Sequence, residues 1–243
     1  MPSTAHVRQL VLSRPAVRNA LDLQTTERLM ASLAEAASDP AVRAVLLRGE
    51  GPGFCAGSDV KEMARLSPAE RLHVAQRKAA LMRALRDLDK PVVCGVHGFA
   101  LGGGFMLAIG CDAVITAADA VWRLPEVELG FFPPWGIEAL AGRVGMARAR
   151  WLVWGAGALD GREAGALGLA EIVVPAGEVE ERSLKLAQRL ASLPAQSVTS
   201  TKRFFREHFP VPANLDDKAR AVYGEDCLGA DAASTFGRFG SRD

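Results

Sequence analysis

No sign of charge dominates this sequence. It carries 29 Lys and Arg against 28 Asp and Glu, a net charge of +1, so no global field draws the chain to nucleic acid, an anionic membrane or an acidic polymer. Paired cysteine spacing is missing too. Cys55, Cys94, Cys111 and Cys227 form no C-x-x-C, and three of them stand beside apolar or glycine-rich segments. That reads as buried free thiols in a reducing compartment, with no disulfide framework. His6, His73, His97 and His208 share no metal-ligand spacing, and no metal is expected. No run reaches the ~18–20 apolar residues of a membrane span. Met1 to Leu12 lacks the basic start and long apolar stretch of a secretory signal, so the cytoplasm is the expected location. Ser58, Asp59 and His73 do not read as a hydrolase triad, because Ser58 has no G-x-S-x-G elbow around it.

What is present is ordinary globular material. Hydrophobic residues make up 49% of 243 positions, enough for one large domain or a domain with a small appendage. Short apolar runs alternate with helical patterns, which predicts an α/β organisation. Val7 to Leu12, Val42 to Leu47, Pro91 to Val96, Ala113 to Thr116, Ala120 to Leu124 and Glu171 to Val174 read as strands. Asp22 is placed to cap a helix, and Ser67-Pro68-Ala69-Glu70 has the pattern of a capping box with proline at the first helical position. Beyond about Glu178 only helical patterns remain, interrupted at Pro210 and Pro212. The chain divides into a strand–helix core, 1–190, and a helical C-terminal region, 191–243.

Two glycine-rich segments stand out. Gly53-Phe54-Cys55-Ala56-Gly57-Ser58-Asp59 follows a strand and leads into a helical stretch, so its glycines allow N–H groups to be turned outward to a ligand. A loop that only turns a corner would look the same. His97-Gly98-Phe99-Ala100-Leu101-Gly102-Gly103-Gly104 also follows a buried strand and opens a helix, whose first N–H groups lack internal partners. Three positions without side chains let a ligand approach that backbone, although close helix–strand packing also uses glycine. A dinucleotide fingerprint fails, since Leu107 stands where the third glycine of G-x-G-x-x-G would be.

Together these segments resemble the enoyl-CoA hydratase/isomerase (crotonase) superfamily. The resemblance runs from Arg14-Pro15 through Asn19-Ala20-Leu21, both glycine segments and Cys111-Asp112 to Pro125-Glu126-Val127 and Leu129-Gly130. It fades beyond about residue 205, where the Gly229 to Phe239 region departs from the usual ending. It implies a crotonase-like α/β fold, a spiral of ββα units with a helical C-terminal region that covers the site or makes subunit contacts. It also implies assembly as a homotrimer or dimer of trimers, and an acyl-CoA thioester as partner. Coenzyme A is then part of the substrate, and no separate cofactor is implied.

By the same resemblance, the backbone N–H groups of Ser58 and Gly103 hold the thioester oxygen while an enolate forms. Hydratases of the family use two glutamates, one two residues beyond the third glycine and one in a Pro-Glu-Val/Ile segment. Here the first position is Met106 and the second is Glu126. A thioether cannot shuttle a proton. A lone glutamate can take a proton from one carbon and return it to another, which is the logic of a double-bond isomerase in fatty acid metabolism. A hydratase, another crotonase-type lyase and a non-catalytic acyl-CoA binder are the alternatives. Glu128 is the reserve base if the segment is extended, since side chains then repeat every second residue. Phe132 and Trp135 in the apolar loop 131–135, with Met106, Phe105 and Met82, suggest an apolar acyl pocket. The resemblance places Arg18, Ala56, Asp59, Val60 and Lys61 near coenzyme A, and Gly102 is counted with them as a substrate-binding residue.

Overall fold

The computed structural model describes residues 6–209 and 211–240, so Pro210 lies outside them. Five strands, β1 (Val7–Leu12), β2 (Ala44–Gly49), β3 (Val92–Val96), β5 (Ala113–Ala117) and β7 (Ile172–Val174), form one sheet in that spatial order. Every pairing in it is parallel. Parallel strands are covered on both faces and so read as continuous apolar runs. Val92 to Val96 is buried at every position. The predicted strand at Val42 begins two residues later. The Val42 N–H donates to the Asp39 carbonyl (3.1 Å), closing a turn before the ladder with β1 starts at Val7 and Ala44.

A second, two-stranded parallel sheet joins β4 (Phe99–Leu101) to β6 (Val121–Arg123). The order β3, β4, then helix α4 (Gly103–Ile109) recurs as β5, β6, then α5 (Ile137–Val153). After β2 the chain bridges to Ala100 at Cys55 and continues into α2 (Val60–Arg65). Each turn of the spiral therefore brings a strand end, a short crossing strand and a helix start to one side of the molecule. The first two of these turns build the site.

The helix starts follow from their caps. Asp22 accepts a hydrogen bond from the Thr25 N–H at the start of α1 (Leu23–Ser38). Ser67 and Glu70 cap reciprocally at α3 (Pro68–Asp87), with Pro68 at the first helical position. Helix α6 (Gly161–Leu167) follows α5, and α7 (Val179–Ser192) lies across β2, β3 and β5. Three helices complete the described chain: α8 (Ala195–His208), α9 (Leu215–Asp226) and α10 (Ala230–Gly240). The last two return to the front, α9 against α3 and α10 against α2. A small apolar cluster of Met63, Val74, Ala75, Tyr223, Cys227, Ala232 and Phe236 sits there, apart from the main core. All four cysteines are buried and free.

Candidate active site

The loop after β2 is held by a buried asparagine. Asn19 takes a left-handed φ of 56°, and its amide donates to the carbonyls of Glu50 (2.8 Å) and Gly53 (2.9 Å). Leu21 then grips the next turn of chain. Its N–H donates to Gly57 O (2.8 Å) and its carbonyl accepts from Asp59 N (3.0 Å). Alternation along an extended segment turns the intervening Ser58 N–H to the opposite side. Facing it is the start of α4. The Leu101 N–H is tied to Cys55 O (3.0 Å) and the Gly102 N–H to Arg123 O (2.8 Å). Gly102 makes the corner at φ 50°, leaving Gly103 as the first residue of the helix, where an N–H has no intrahelical acceptor.

The two amide nitrogens lie close to one another. A Cβ added to Gly103 would stand 3.3 Å from Ser58 N, and one added to Gly57 would stand 3.1 Å from Gly103 N. That second Cβ would also lie 2.7 Å from Leu101 O, at φ 94°. Glycine at 57 is thus a condition for the two loops to close on one another.

Glu126 lies over the same corner. Its Oε1 is 2.7 Å from where a Gly102 Cβ would be. The residue as a whole is half-buried, but Oε2 reaches no solvent and has no hydrogen-bond partner among the described residues. Desolvation pushes this carboxyl up to about 7, with a bond from its own backbone N–H as the opposing influence. A carboxyl in that range exchanges a proton readily near neutral pH.

Ala56, Val60, Gly102, Gly103, Met106, Glu126 and Trp135 line one narrow cavity of about 90 Å³ with Ser58. Larger voids exist. One, about 860 Å³, lies around Pro91, Leu193 and Phe205 and touches neither amide nor Glu126. Arg18 and Lys61 are exposed, with the Arg18 guanidinium 4.4 Å above the Phe99 ring. The Ala56 N–H donates to the Arg18 carbonyl, which sets Arg18 beside the cavity rim. Asp59 caps α2 and pairs with Arg14 at 3.2 Å. Among the described residues no cluster of His, Cys, Asp or Glu is suited to a metal ion, and no helix is long and apolar enough to cross a membrane.

Three expectations need correction. Glu128 does not share a face with Glu126. The segment is a turn, closed by the Leu129 N–H on the Pro125 carbonyl (3.0 Å), and Glu128 points outward to pair with Arg123. Phe132 is not in the cavity, because its N–H is drawn to the Asp226 carboxylate (2.8 Å) and it lines a different depression with Met146 and Trp154. Its neighbour Phe131 enters instead, stacked on Phe236 at 5.8 Å and edge-on to Tyr223 at 5.7 Å. Phe105 and Met82 also lie outside: Phe105 packs edge-on to Trp122 in the core, and Met82 packs towards Gly110.

Sequence reasoning missed two kinds of lining residue. Tyr223 and Phe236 arrive from the far C-terminal helices. Lys78, 2% exposed, projects from the apolar stripe of α3 and donates a hydrogen bond to Ser58 Oγ (2.9 Å). Burial lowers its pKa to about 8. The available signal was its position, three residues after Ala75 and four before Met82.

Spiral ββα architecture with two neighbouring loop amides and a desolvated carboxyl beside them at one cavity defines a class, α/β proteins of the ββα-spiral type. The comparisons carry this further. A family model described as Enoyl-CoA hydratase/isomerase matches residues 3–226, and the chain belongs to that family. It is 37% identical over 185 residues to a Bacillus subtilis protein named "Probable enoyl-CoA hydratase", covering 75% of this chain and 72% of the relative. To the human mitochondrial protein named enoyl-CoA hydratase domain-containing protein 2 it is 35% identical over 187 residues, 76% of this chain but 64% of that one. A crystal structure of an enoyl-CoA hydratase from Mycobacterium avium subsp. paratuberculosis matches with a TM-score of 0.86 at 26% identity, covering 96% of this chain and 95% of the other. The fold is the crotonase fold.

Proposed function

We propose that this protein is an enoyl-CoA isomerase, shifting a 3-enoyl-CoA double bond to the 2-position through a dienolate. The N–H groups of Ser58 and Gly103 donate to the thioester oxygen. The Glu126 carboxylate removes a proton from C2, and the electron pair moves onto that oxygen. The protonated Glu126 then returns the proton to C4 as the double bond forms between C2 and C3. Nothing is gained or lost overall. Oxyanion donors of this kind are worth roughly 3–4 kcal/mol each in acyl transfer. Arg18 and Lys61 meet coenzyme A phosphates at the rim, with Ala56, Asp59 and Val60 beside them, while Met106 and Trp135 line the acyl seat. The substrate brings the coenzyme itself, and no further cofactor takes part. Action in the cytoplasm as a homotrimer or dimer of trimers belongs to the same reading.

One observation carries it: among the described residues Glu126 is the one acid lining the cavity, its carboxyl desolvated and pushed up to about 7, while Met106 stands where a hydratase of the family would place a second acid. The relatives' names favour a second reading, hydration of a 2-enoyl-CoA with water activated by Glu126 alone. The test is matched 2-enoyl- and 3-enoyl-CoA in heavy water. Interconversion with deuterium exchange, lost in Glu126→Gln, is expected. Formation of 3-hydroxyacyl-CoA would replace the isomerase with the hydratase, and tight binding without exchange would leave an acyl-CoA binder.

A further inference from the structure

We infer that Lys78 makes this cavity selective for acyl groups bearing a carboxylate, so that the preferred ligands are mono-CoA thioesters of short dicarboxylic acids. The inference rests on the acyl-CoA reading above and narrows it to a substrate class.

Lys78 is among the largest fully buried side chains of the protein. An ammonium has three N–H donors, and Ser58 Oγ accepts one of them at 2.9 Å. Among the described residues no carboxylate comes within ion-pair distance of it. Three acids act on it electrostatically from beyond that distance, and each is engaged elsewhere. Glu62 accepts from the Leu23 N–H, Asp59 holds Arg14, and Asp22 caps α1 and holds Arg14 as well. The ammonium's other two donors have no acceptor among the described residues, and Lys78 lines the cavity together with Met63, Val74, Met106, Phe131 and Trp135.

A cation so placed is a poor neighbour for a plain hydrocarbon chain. It costs desolvation and returns nothing unless something pairs with it. A carboxylate brought by the ligand supplies that partner in a water-excluded space, where a charge pair is strongest. The position sets the reach. Ser58 contributes the amide facing Gly103 as well as the hydroxyl held by Lys78, so the ammonium stands within about one residue's span of the thioester seat. A carboxylate about two to four carbons beyond the thioester carbon meets it at hydrogen-bond distance.

The test is calorimetric binding of butyryl-, succinyl- and glutaryl-CoA, none of which needs turnover. Wild-type protein is expected to bind succinyl- or glutaryl-CoA at least ~10-fold tighter than butyryl-CoA, a modest demand for a buried charge pair. Lys78→Met should erase that ratio and Lys78→Arg should keep part of it. A wild-type ratio of one or less overturns the inference, as does a ratio that survives Lys78→Met. A lysine that merely braces the Ser58 loop would weaken all three ligands together, leave the ratio standing and so overturn it too. If Lys78→Met does not fold, the amide-capped succinamyl-CoA decides with wild-type protein: binding like butyryl-CoA supports the charge pair, binding like succinyl-CoA sinks it. Failure to bind any thioester removes the acyl-CoA reading itself, whereas binding without preference removes only this inference.

Discussion

The cavity has one wall of main chain and one of side chains, and the two are built by different rules. The main-chain wall, Gly57 to Ser58 facing Gly102 to Gly103, is fixed by bonds that the Asn19 amide and the Leu21 N–H donate and that the carbonyls of Leu21, Cys55 and Arg123 accept. Its geometry depends on Gly57, whose missing Cβ would strike the Leu101 carbonyl, and on Gly102 and Gly103, where a Cβ would press on Glu126 and Trp135. The other wall has Val74 and Ala75 on α3, Tyr223 on α9 and Phe236 on α10, members of an apolar cluster of their own from helices distant in sequence, with Lys78 of α3 added to the lining. A main-chain wall offers the same two donors to any thioester. A side-chain wall can be rewritten residue by residue. On the proposed reading, oxyanion binding falls to the first wall, the proton carrier is Glu126 over its corner, and choice of acyl group falls to the second wall.

The largest effect that separates the walls is Glu126→Gln. It keeps shape and removes the proton carrier, so kcat for double-bond migration should fall about 10³-fold while affinity for the thioester changes little. In the wild type, kcat/KM for the 3-enoyl-CoA should rise with pH through about 7, because only the carboxylate form takes a proton. Single-turnover kinetics from pH 5.5 to 8 checks both. A flat profile would move the base elsewhere. Next comes Gly57→Ala, whose Cβ would press the Leu101 carbonyl and the Gly103 amide. Forcing the donors apart should lower kcat about 10²-fold, with a far smaller change in KM.

How legible these walls were follows from the same contrast. Glycines in a strand–loop–helix setting carry their meaning locally, so both segments could be read as places where backbone is open to a ligand, and Asp22, Ser67 and Glu70 could be read at the helix caps. The side-chain wall has no local signature. Tyr223 and Phe236 lie on amphipathic helices, and nothing in a helical repeat says which distant surface its apolar face will cover. Lys78 was hidden by residue type, since lysine on a helix reads as solvated. Glu128 was misplaced because period-two reasoning was applied to a segment that closes as a turn at Leu129.

A smaller effect is expected on the side-chain wall. Phe236, 6% exposed, stacks on Phe131 and holds the Arg71 guanidinium 3.8 Å above its ring. Phe236→Ala should destabilise the C-terminal helices by about 3 kcal/mol, at the low end for a buried aromatic. It should raise KM about tenfold with less effect on kcat, as removal of uniform binding does. Denaturant melts and steady-state kinetics read the two. A loss confined to kcat would mean that this wall also positions the reacting atoms, and the division between walls would fail.

The smallest effect concerns stability and its sign. Glu126 has a pKa of about 7 in the folded protein against its ordinary 4.5. Between those values the folded chain keeps a proton that the unfolded chain has lost, so the unfolded state binds fewer protons and stability falls as pH rises through that window. The whole penalty is in force above about pH 7 and is at most about 3 kcal/mol. Glutamine does not titrate. Glu126→Gln should therefore gain stability relative to wild type as pH rises from 4.5 to 7, with the gap constant just beyond. Lys78 works in a separate window, since its value of about 8 against 10.5 makes stability rise with pH only between those limits. Urea melts of both proteins at pH 5, 6, 7 and 7.5 isolate the glutamate. A gap that stays flat across that range would mean that water reaches the Glu126 carboxylate, and that the main-chain wall does not seal the cavity.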